Sequence, residues 1–147
     1  MTAVSAQEFI SKLGELRPPV GMGQIFALAK ACMDMTPAEV EILLDSPDHA
    51  AKVGAVSVMD FQARRRATTA ERRQALFDLY IRRHDRINTW DLVDRSAIWV
   101  VGEYLRDKPR DVLYQLARSN RPMERRSAVL STFAFIRHGD LDDAYRI

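Results

Sequence analysis

The chain has 147 residues, enough for one domain with its own hydrophobic core. Its 47% hydrophobic and 29% charged residues are typical of a soluble globular protein. The single cysteine, Cys32, excludes an intramolecular disulfide framework, and no apolar run approaches membrane-spanning length. Since the first residues also lack a basic, apolar leader, we expect a cytoplasmic protein without membrane contacts.

Arginine dominates the basic residues and is unevenly placed along the chain. Although the net charge is only +2, 18 of the 22 basic residues are Arg, and all but Arg17 lie from Arg64 onward. The planar guanidinium fork suits phosphate, but a GC-rich coding bias would also raise the Arg content. Composition leaves both explanations open, whereas position predicts that any anion-binding surface lies in the later part of the chain.

Signals for helix starts recur along the sequence. Three capping boxes, in which a hydroxyl caps the helix and a Glu reaches back to it, begin at Ser5, Thr36 and Thr68. Four prolines occupy positions typical of a first helical turn: Pro37, Pro47, Pro109 and Pro122. Gly139, which follows His138, is typical of a helix end. These signals predict a chain of separate, capped helices.

In chain order, the predicted helices cover residues 6–16, 22–33, 37–45, 47–63, 69–84, 90–106, 110–118, 122–137 and 140–147. Apolar residues at helical spacing in two of them predict core positions: Val93, Ala97, Val100, Val129, Phe133 and Ile136. Residues 97–101 have strand propensity, but no second strand-like run exists to pair with them.

Short amphipathic helices alternate with longer, more apolar ones that begin near Pro47, Trp90 and Pro122. The intervals, about 43 and 32 residues, bracket the length of a HEAT or armadillo unit. We therefore predict an all-α, right-handed superhelix (a HEAT/armadillo-like solenoid) of paired antiparallel helices, with an ordinary helical bundle as the alternative. The absence of linkers predicts a single domain over residues 1–147.

Several familiar sites are missing from the sequence. Gly21-Met22-Gly23 lacks the preceding strand and the third glycine of a dinucleotide fingerprint. One cysteine and three scattered histidines do not give zinc-ligand spacing. We therefore expect neither a cofactor nor a metal site.

Trp90 and Asp94 are four residues apart at the start of a predicted helix, so they share one face. The carboxylate is either a charge favoured by the helix dipole or part of a site. Asp91 and Arg95 form a second pair at the same spacing, which a solvated ion pair explains more simply.

Arg125 and Arg126 stand near the start of the next long helix. In a solenoid, equivalent ends of successive inner helices line one surface, so Asp94 and Arg126 would be neighbours. The alternative is that the two arginines merely solvate a helix end.

Four segments, in this order, resemble the DNA alkylation repair family of AlkD type: Ile87–Asp94, Val101–Leu105, Glu124–Arg126 and Ser131–Asp140. The resemblance continues more weakly back to about residue 20. It implies a HEAT-like solenoid that acts as an alkylpurine DNA glycosylase. The implied partner is double-stranded DNA that contains alkylated bases, with 3-methyladenine or 7-methylguanine as the excised base.

The resemblance also implies roles for individual residues. Asp94 would be catalytic, since its carboxylate stabilises the oxocarbenium ion that develops on the deoxyribose. Trp90 would assist by packing on the sugar or the cationic base, and would contact DNA in doing so. Arg126, with Arg125 beside it, would bind the DNA backbone through phosphate.

The chain departs from the family pattern in two places. Met123 stands where the family often has Trp, and the sequence stops at Ile147, where members usually continue through further repeats. A solenoid without its last repeats would expose an apolar C-terminal face, which favours a homodimer or a lower stability. Two other functions remain open: a non-catalytic HEAT-like protein that binds branched or distorted DNA, and a protein-interaction solenoid.

Overall fold

The computed structural model describes residues 3–147, which form helices, turns and loops and contain no strand. The fold is therefore all-α, as predicted. The chain divides into two compact units, one that ends at Thr68 and one that covers Thr69–Ile147. No helix within residues 3–147 is both long enough and apolar enough to cross a membrane. The superhelical arrangement and the single domain stay predictions.

Over residues 3–68, the first unit contains four helices: α1 (Ala6–Gly14), α2 (Met22–Ala31), α3 (Pro37–Leu44) and α4 (His49–Arg64). Helix α4 packs against both α2 and α3, and α1 packs against α2 and α3. Eleven of the sixteen residues of α4 are buried, so this helix is the centre of the unit.

The capping signals explain where these helices begin. The Ser5 hydroxyl accepts the Glu8 amide at 3.1 Å, as the capping box predicts. The Thr36 hydroxyl accepts the Glu39 amide at 3.3 Å, but the Glu39 carboxylate accepts the amide of Ala6, 2.7 Å away, instead of reaching back. The second box is therefore incomplete, and its Glu joins α3 to the start of α1.

Helix α4 begins two residues later than predicted. Asp48 is the N-cap, and its carboxylate accepts the Ala50 amide at 3.1 Å. Placing Pro47 in the first turn was therefore wrong, because the stronger cap follows it.

The second unit contains five α-helices with two other helical segments between them: α5 (Ala70–Arg82), a 3-10 turn (His84–Arg86), α6 (Trp90–Ser96), a π-helix (Ala97–Glu103), α7 (Asp111–Ala117), α8 (Pro122–Ile136) and α9 (Asp142–Arg146). Helix α5 packs against the π-helix, and α7 and α9 pack against α8. The π-helix and α8 pack against each other and form the centre of the unit.

Four of the predicted helix boundaries in this unit are tested by the structure, and two of them are wrong. The N-cap of α5 is Thr69, which accepts the Arg72 amide, so the cap predicted at Thr68 was wrong by one residue. Pro109 precedes α7, which begins at Asp111, so its predicted place in the first turn was also wrong. Pro122 does open α8, and Gly139 ends it with a φ of 82°.

The predicted helix over residues 90–106 is interrupted by the π-helix. Helix α6 ends at Ser96, whose hydroxyl donates to the carbonyl oxygen of Leu92 at 2.7 Å. Within the π-helix, Gly102 lies directly against α8: a Cβ there would be 2.8 Å from that of Ala134 and would overlap the Ser131 carbonyl oxygen. Glycine is therefore required for this close approach.

Helix α6 with its π-helix runs parallel to α8. Their contacts advance together along both: Asp94 with Arg126, Gly102 with Ser131, and Glu103 with Arg137. The N-terminal ends of α6 and α8 therefore lie at the same end of the second unit.

The predicted core is half right. Val93, Ala97 and Val100 are buried, whereas Val129, Phe133 and Ile136 are 39–47% exposed, so their prediction as core residues was wrong. Helix α8 instead buries a face of mainly small residues: Ser127, Ala128, Ser131, Thr132, Ala134 and Phe135. The close approach at Gly102 leaves room for small side chains, and the bulkier ones face outward.

Leu141 and Tyr145, near the end of the chain, are exposed as well. The homodimer expected through such residues stays a prediction.

Candidate active site

Asp94 and Arg126 form a two-point ion pair at the surface of the second unit. The Arg126 Nε donates to Asp94 Oδ1 at 2.6 Å, and Nη2 donates to Oδ2 at 2.8 Å. This pairing raises the pKa of the Arg126 guanidinium, which therefore stays charged. The side chains are 35% and 43% exposed, so both groups remain accessible to a ligand. The structure thus brings together the two residues that the sequence placed on neighbouring helices.

Trp90 is the first residue of α6, and its side chain is among the most exposed large hydrophobic groups of the second unit, at 63%. It precedes Asp94 by one helical turn, so the indole and the carboxylate lie on the same face of α6. An exposed indole beside an exposed carboxylate can cover an apolar or cationic ligand while the carboxylate faces it.

Arg125 and Asp91 are held by neighbouring groups. The Arg125 Nη1 donates to the Ser119 carbonyl oxygen at 2.8 Å, which directs the guanidinium back toward the end of α7. The Asp91 carboxylate accepts a hydrogen bond from the Thr89 hydroxyl. The structure therefore places Arg125 beside the pair but not within it, and the roles assigned to Trp90, Asp94, Arg125 and Arg126 stay predictions.

A buried polar network lies on the inner side of α8 at the same level. The Ser127 hydroxyl is 2.8 Å from the Tyr80 hydroxyl and 2.7 Å from His84 Nε2, and all three residues are buried. Burial raises the pKa of Tyr80 to about 12 and lowers the pKa of His84 below its ordinary value of 6.5. Both side chains are therefore neutral at neutral pH.

Sequence reasoning missed this network. Tyr80 and His84 are four residues apart within the predicted helix 69–84, which places them on one face of it, but Ser127 is 43 residues beyond His84. A small serine in a predicted apolar helix was the available signal, because buried hydroxyls require partners.

Within residues 3–147, no group of three or more His, Cys, Asp or Glu residues lies close enough together to hold a metal ion. The polar groups at the site itself are one carboxylate, one guanidinium and an indole N–H. These groups suit an anionic backbone next to a centre that gains positive charge.

A family model described as DNA alkylation repair enzyme matches residues 19–147, which include all of the candidate site. No curated protein and no solved structure matches the chain. Since the matched part covers most of the sequence, the chain belongs to the DNA alkylation repair enzyme family.

Proposed function

We propose that this protein is a DNA glycosylase that hydrolyses the N-glycosidic bond of positively charged alkylated purines, such as 3-methyladenine and 7-methylguanine, in duplex DNA. The observation that carries the proposal is the exposed Asp94–Arg126 pair with Trp90 one turn before it. Family membership supports an enzyme of DNA alkylation repair, and the pair supplies groups of the charge that the proposed reaction requires.

The reaction needs little acid catalysis. Alkylation at N3 or N7 makes the purine cationic, so the base leaves as a neutral molecule once the glycosidic bond breaks. The positive charge that must be stabilised then develops on the deoxyribose, as in other glycoside hydrolyses. The Asp94 carboxylate provides the opposite charge and accepts a proton or a hydrogen bond from the attacking water.

Arg126 can serve the carboxylate and the DNA backbone together. Its contacts with Asp94 use Nε and Nη2, which leaves the Nη1 edge of the guanidinium for a phosphate oxygen. A phosphate bound there would lie at a fixed position from Asp94, next to the sugar on which charge develops. Trp90 would pack on that sugar or on the cationic base.

The direct test is release of 7-methylguanine from alkylated duplex DNA. We expect Asp94→Asn to lose about 10²–10³ in rate, because Asn keeps the shape of Asp but not its charge. Binding to undamaged duplex should stay close to that of the unmodified protein, because the phosphate contact belongs to Arg126.

Asp91→Asn is the matched control, since it removes a carboxylate from the same turn, where Asp91 accepts from Thr89. It should keep most of the activity. An Asp94→Asn protein that releases the base at the unmodified rate would contradict the mechanism. An unmodified protein that binds duplex DNA without releasing any base would favour the non-catalytic DNA-binding function.

A further inference from the structure

The Asp94–Arg126 pair cannot by itself fix the position of its two helices. Both side chains are partly exposed to solvent, and an exposed ion pair contributes little to stability. Because the two residues come from α6 and α8, any shift of one helix against the other changes the position of the carboxylate. The alignment that the proposed reaction requires therefore depends on what joins the two helices inside the second unit.

A buried phenol hydroxyl joins the two helices from the inside. Ser127 directly follows Arg126 in α8, and its hydroxyl is 2.8 Å from the Tyr80 hydroxyl. Ser96, two residues after Asp94 at the end of α6, is a second hydrogen-bond partner of the Tyr80 side chain. Tyr80 therefore links, within the core, the same two helices that the ion pair links at the surface.

The Asp94 carboxylate is close enough to this hydroxyl to act on it. Burial is the main cause that raises the pKa of Tyr80 to about 12, and the negative charge of Asp94 contributes in the same direction. The phenol is therefore protonated near pH 7, so its hydroxyl is a constant part of the network in that range.

His84 completes the network from the 3-10 turn. Its Nε2 is 2.7 Å from the Ser127 hydroxyl, and its ring packs edge-on against Tyr80, with 5.3 Å between the ring centroids. All three residues are buried, so the loss of one partner leaves a buried polar group unpaired. Such a network favours one arrangement of the helices that carry it.

We propose that Tyr80 and Ser127 are positioning residues, which hold α6 and α8 at the spacing that aligns the Asp94 carboxylate with Arg126. Both are buried, so they act through the ion pair rather than on the DNA. Their effect on base release rests on the proposed function. Their effect on the ion pair can also be measured in the protein without DNA.

The first test measures the rate of 7-methylguanine release in a single turnover, with the protein in excess over alkylated duplex. We expect Tyr80→Phe and Ser127→Ala each to lower this rate about tenfold, since a misplacement of about 1 Å can cost about 100-fold. The salt slope of binding to undamaged duplex should stay unchanged, because both variants keep the charge of the pair. Tyr80→Phe retains the ring in the core, which keeps the test valid if Ser127→Ala does not fold.

Ser131→Ala is the matched control. Ser131 is also a buried serine of α8, but its hydroxyl donates within the helix, to the Ser127 carbonyl oxygen at 2.7 Å. This variant should lose stability and keep the rate of base release. A double variant gives a second control: Tyr80→Phe should lower the rate no further once Asp94→Asn has removed the charge that it positions.

The second test measures the ion pair without DNA. The Arg126 Nε–H donates to Asp94 at 2.6 Å, and its nitrogen-15 NMR signal is identified by its loss in Arg126→Gln. We expect this hydrogen to exchange with water several-fold faster in Tyr80→Phe than in the unmodified protein, because a misaligned carboxylate protects it less. Ser131→Ala should leave the exchange rate unchanged.

Unchanged exchange at Arg126 in a folded Tyr80→Phe protein would overturn the positioning role, as would an equal loss of rate in Ser131→Ala. A further loss of rate from Tyr80→Phe in the Asp94→Asn protein would also overturn it, since the hydroxyl would then act independently of the carboxylate. If the unmodified protein releases no base, the glycosylase alone is contradicted, because the exchange at Arg126 still decides the positioning role.

Discussion

Two ion pairs, one in each compact unit, use charge in different ways. In the first unit, the Asp60 carboxylate is buried within α4 and pairs with Arg64 of the same helix at 2.9 Å. In the second unit, Asp94 and Arg126 come from two helices and meet at the surface. An ion pair within one helix steadies that helix, whereas an exposed pair between two helices contributes little stability and presents both charges to a ligand.

The central helices of the two units, α4 and α8, also differ in how much of their surface is exposed. Helix α4 buries most of its residues, while α8 buries one face and exposes a stripe that includes Arg126, Val129 and Phe133. Fourteen of the eighteen arginines also lie in the second unit. The first unit is thus organised around packing, and the second combines packing with an accessible, basic surface.

Two glycines, Gly54 in the first unit and Gly102 in the second, allow the packing of the two units to be compared. A Cβ at Gly102 would overlap the Ser131 backbone, whereas a Cβ at Gly54 would overlap the ring of Phe9. We expect Gly102→Ala to destabilise the second unit by about 2–3 kcal/mol, because a backbone cannot move aside without separating the π-helix from α8. Gly54→Ala should cost less, about 1–2 kcal/mol, because an aromatic side chain has more freedom to shift.

Urea denaturation of the two variants measures these costs. A Gly102→Ala protein as stable as the unmodified one would mean that the π-helix and α8 are not in the close contact described. A larger loss of stability from Gly54→Ala than from Gly102→Ala would contradict the expectation that the backbone contact in the second unit tolerates a methyl group less well.

The surface of the second unit is tested by Arg126→Gln. We expect the affinity for undamaged duplex to fall about tenfold, the usual scale for one lost contact to a charged group. The slope of log affinity against log salt should fall by about one, since one phosphate contact is removed. Arg17→Gln, an exposed arginine of the first unit, is the matched control and should leave the slope unchanged. An equal salt slope in the Arg126→Gln and Arg17→Gln proteins would show that Arg126 does not contact a DNA phosphate.

The sequence predicted the helices from local signals, and it predicted that Asp94 and Arg126 are neighbours from the repeat of long helices. Capping residues such as Ser5 and Thr36 mark helix starts, and equivalent positions on successive long helices fall near one another. The sequence did not predict the π-helix, because residues 97–103 have the apolar spacing of an ordinary helix. The wider turn depends on the contact with α8.

The outward orientation of Val129, Phe133 and Ile136 also depends on the packing between α8 and the π-helix, which the sequence alone does not show. Their spacing predicts an apolar face and correctly places all three on one side of α8. The spacing does not show which side of α8 packs against the π-helix. The face with Ser127 and Ser131 packs there because its small side chains fit closer to Gly102 than large side chains would. A pocket lined by His84, Asn88 and Met123 was missed because these residues come from two segments more than thirty residues apart.

The buried histidine of the second unit predicts a dependence of stability on pH. Burial is the main cause that lowers the pKa of folded His84, while the unfolded chain titrates near the ordinary value of 6.5. Below that value the unfolded state binds more protons, so stability falls as the pH drops from 7 through 6.5, until folded His84 is also protonated.

Urea midpoints at pH 7.5 and 5.5 measure this effect. His84→Gln should reduce the difference between the two midpoints. A His84→Gln protein with an unchanged difference would show that another group is responsible for the pH dependence.

The smallest expected effect is a gain in stability in the first unit. Gly23 lies in the first turn of α2, where a Cβ would meet no atom within 4 Å, and its φ is not in the left-handed region. Gly23→Ala should therefore stabilise the unit by about 0.5 kcal/mol, because Ala loses less backbone entropy than Gly when the helix forms. Gly23, Gly54 and Gly102 then form a series in which the added methyl group faces open space, a movable ring and a fixed backbone. If Gly23→Ala proved destabilising, the N-terminal end of α2 would be more closely packed than the structure shows.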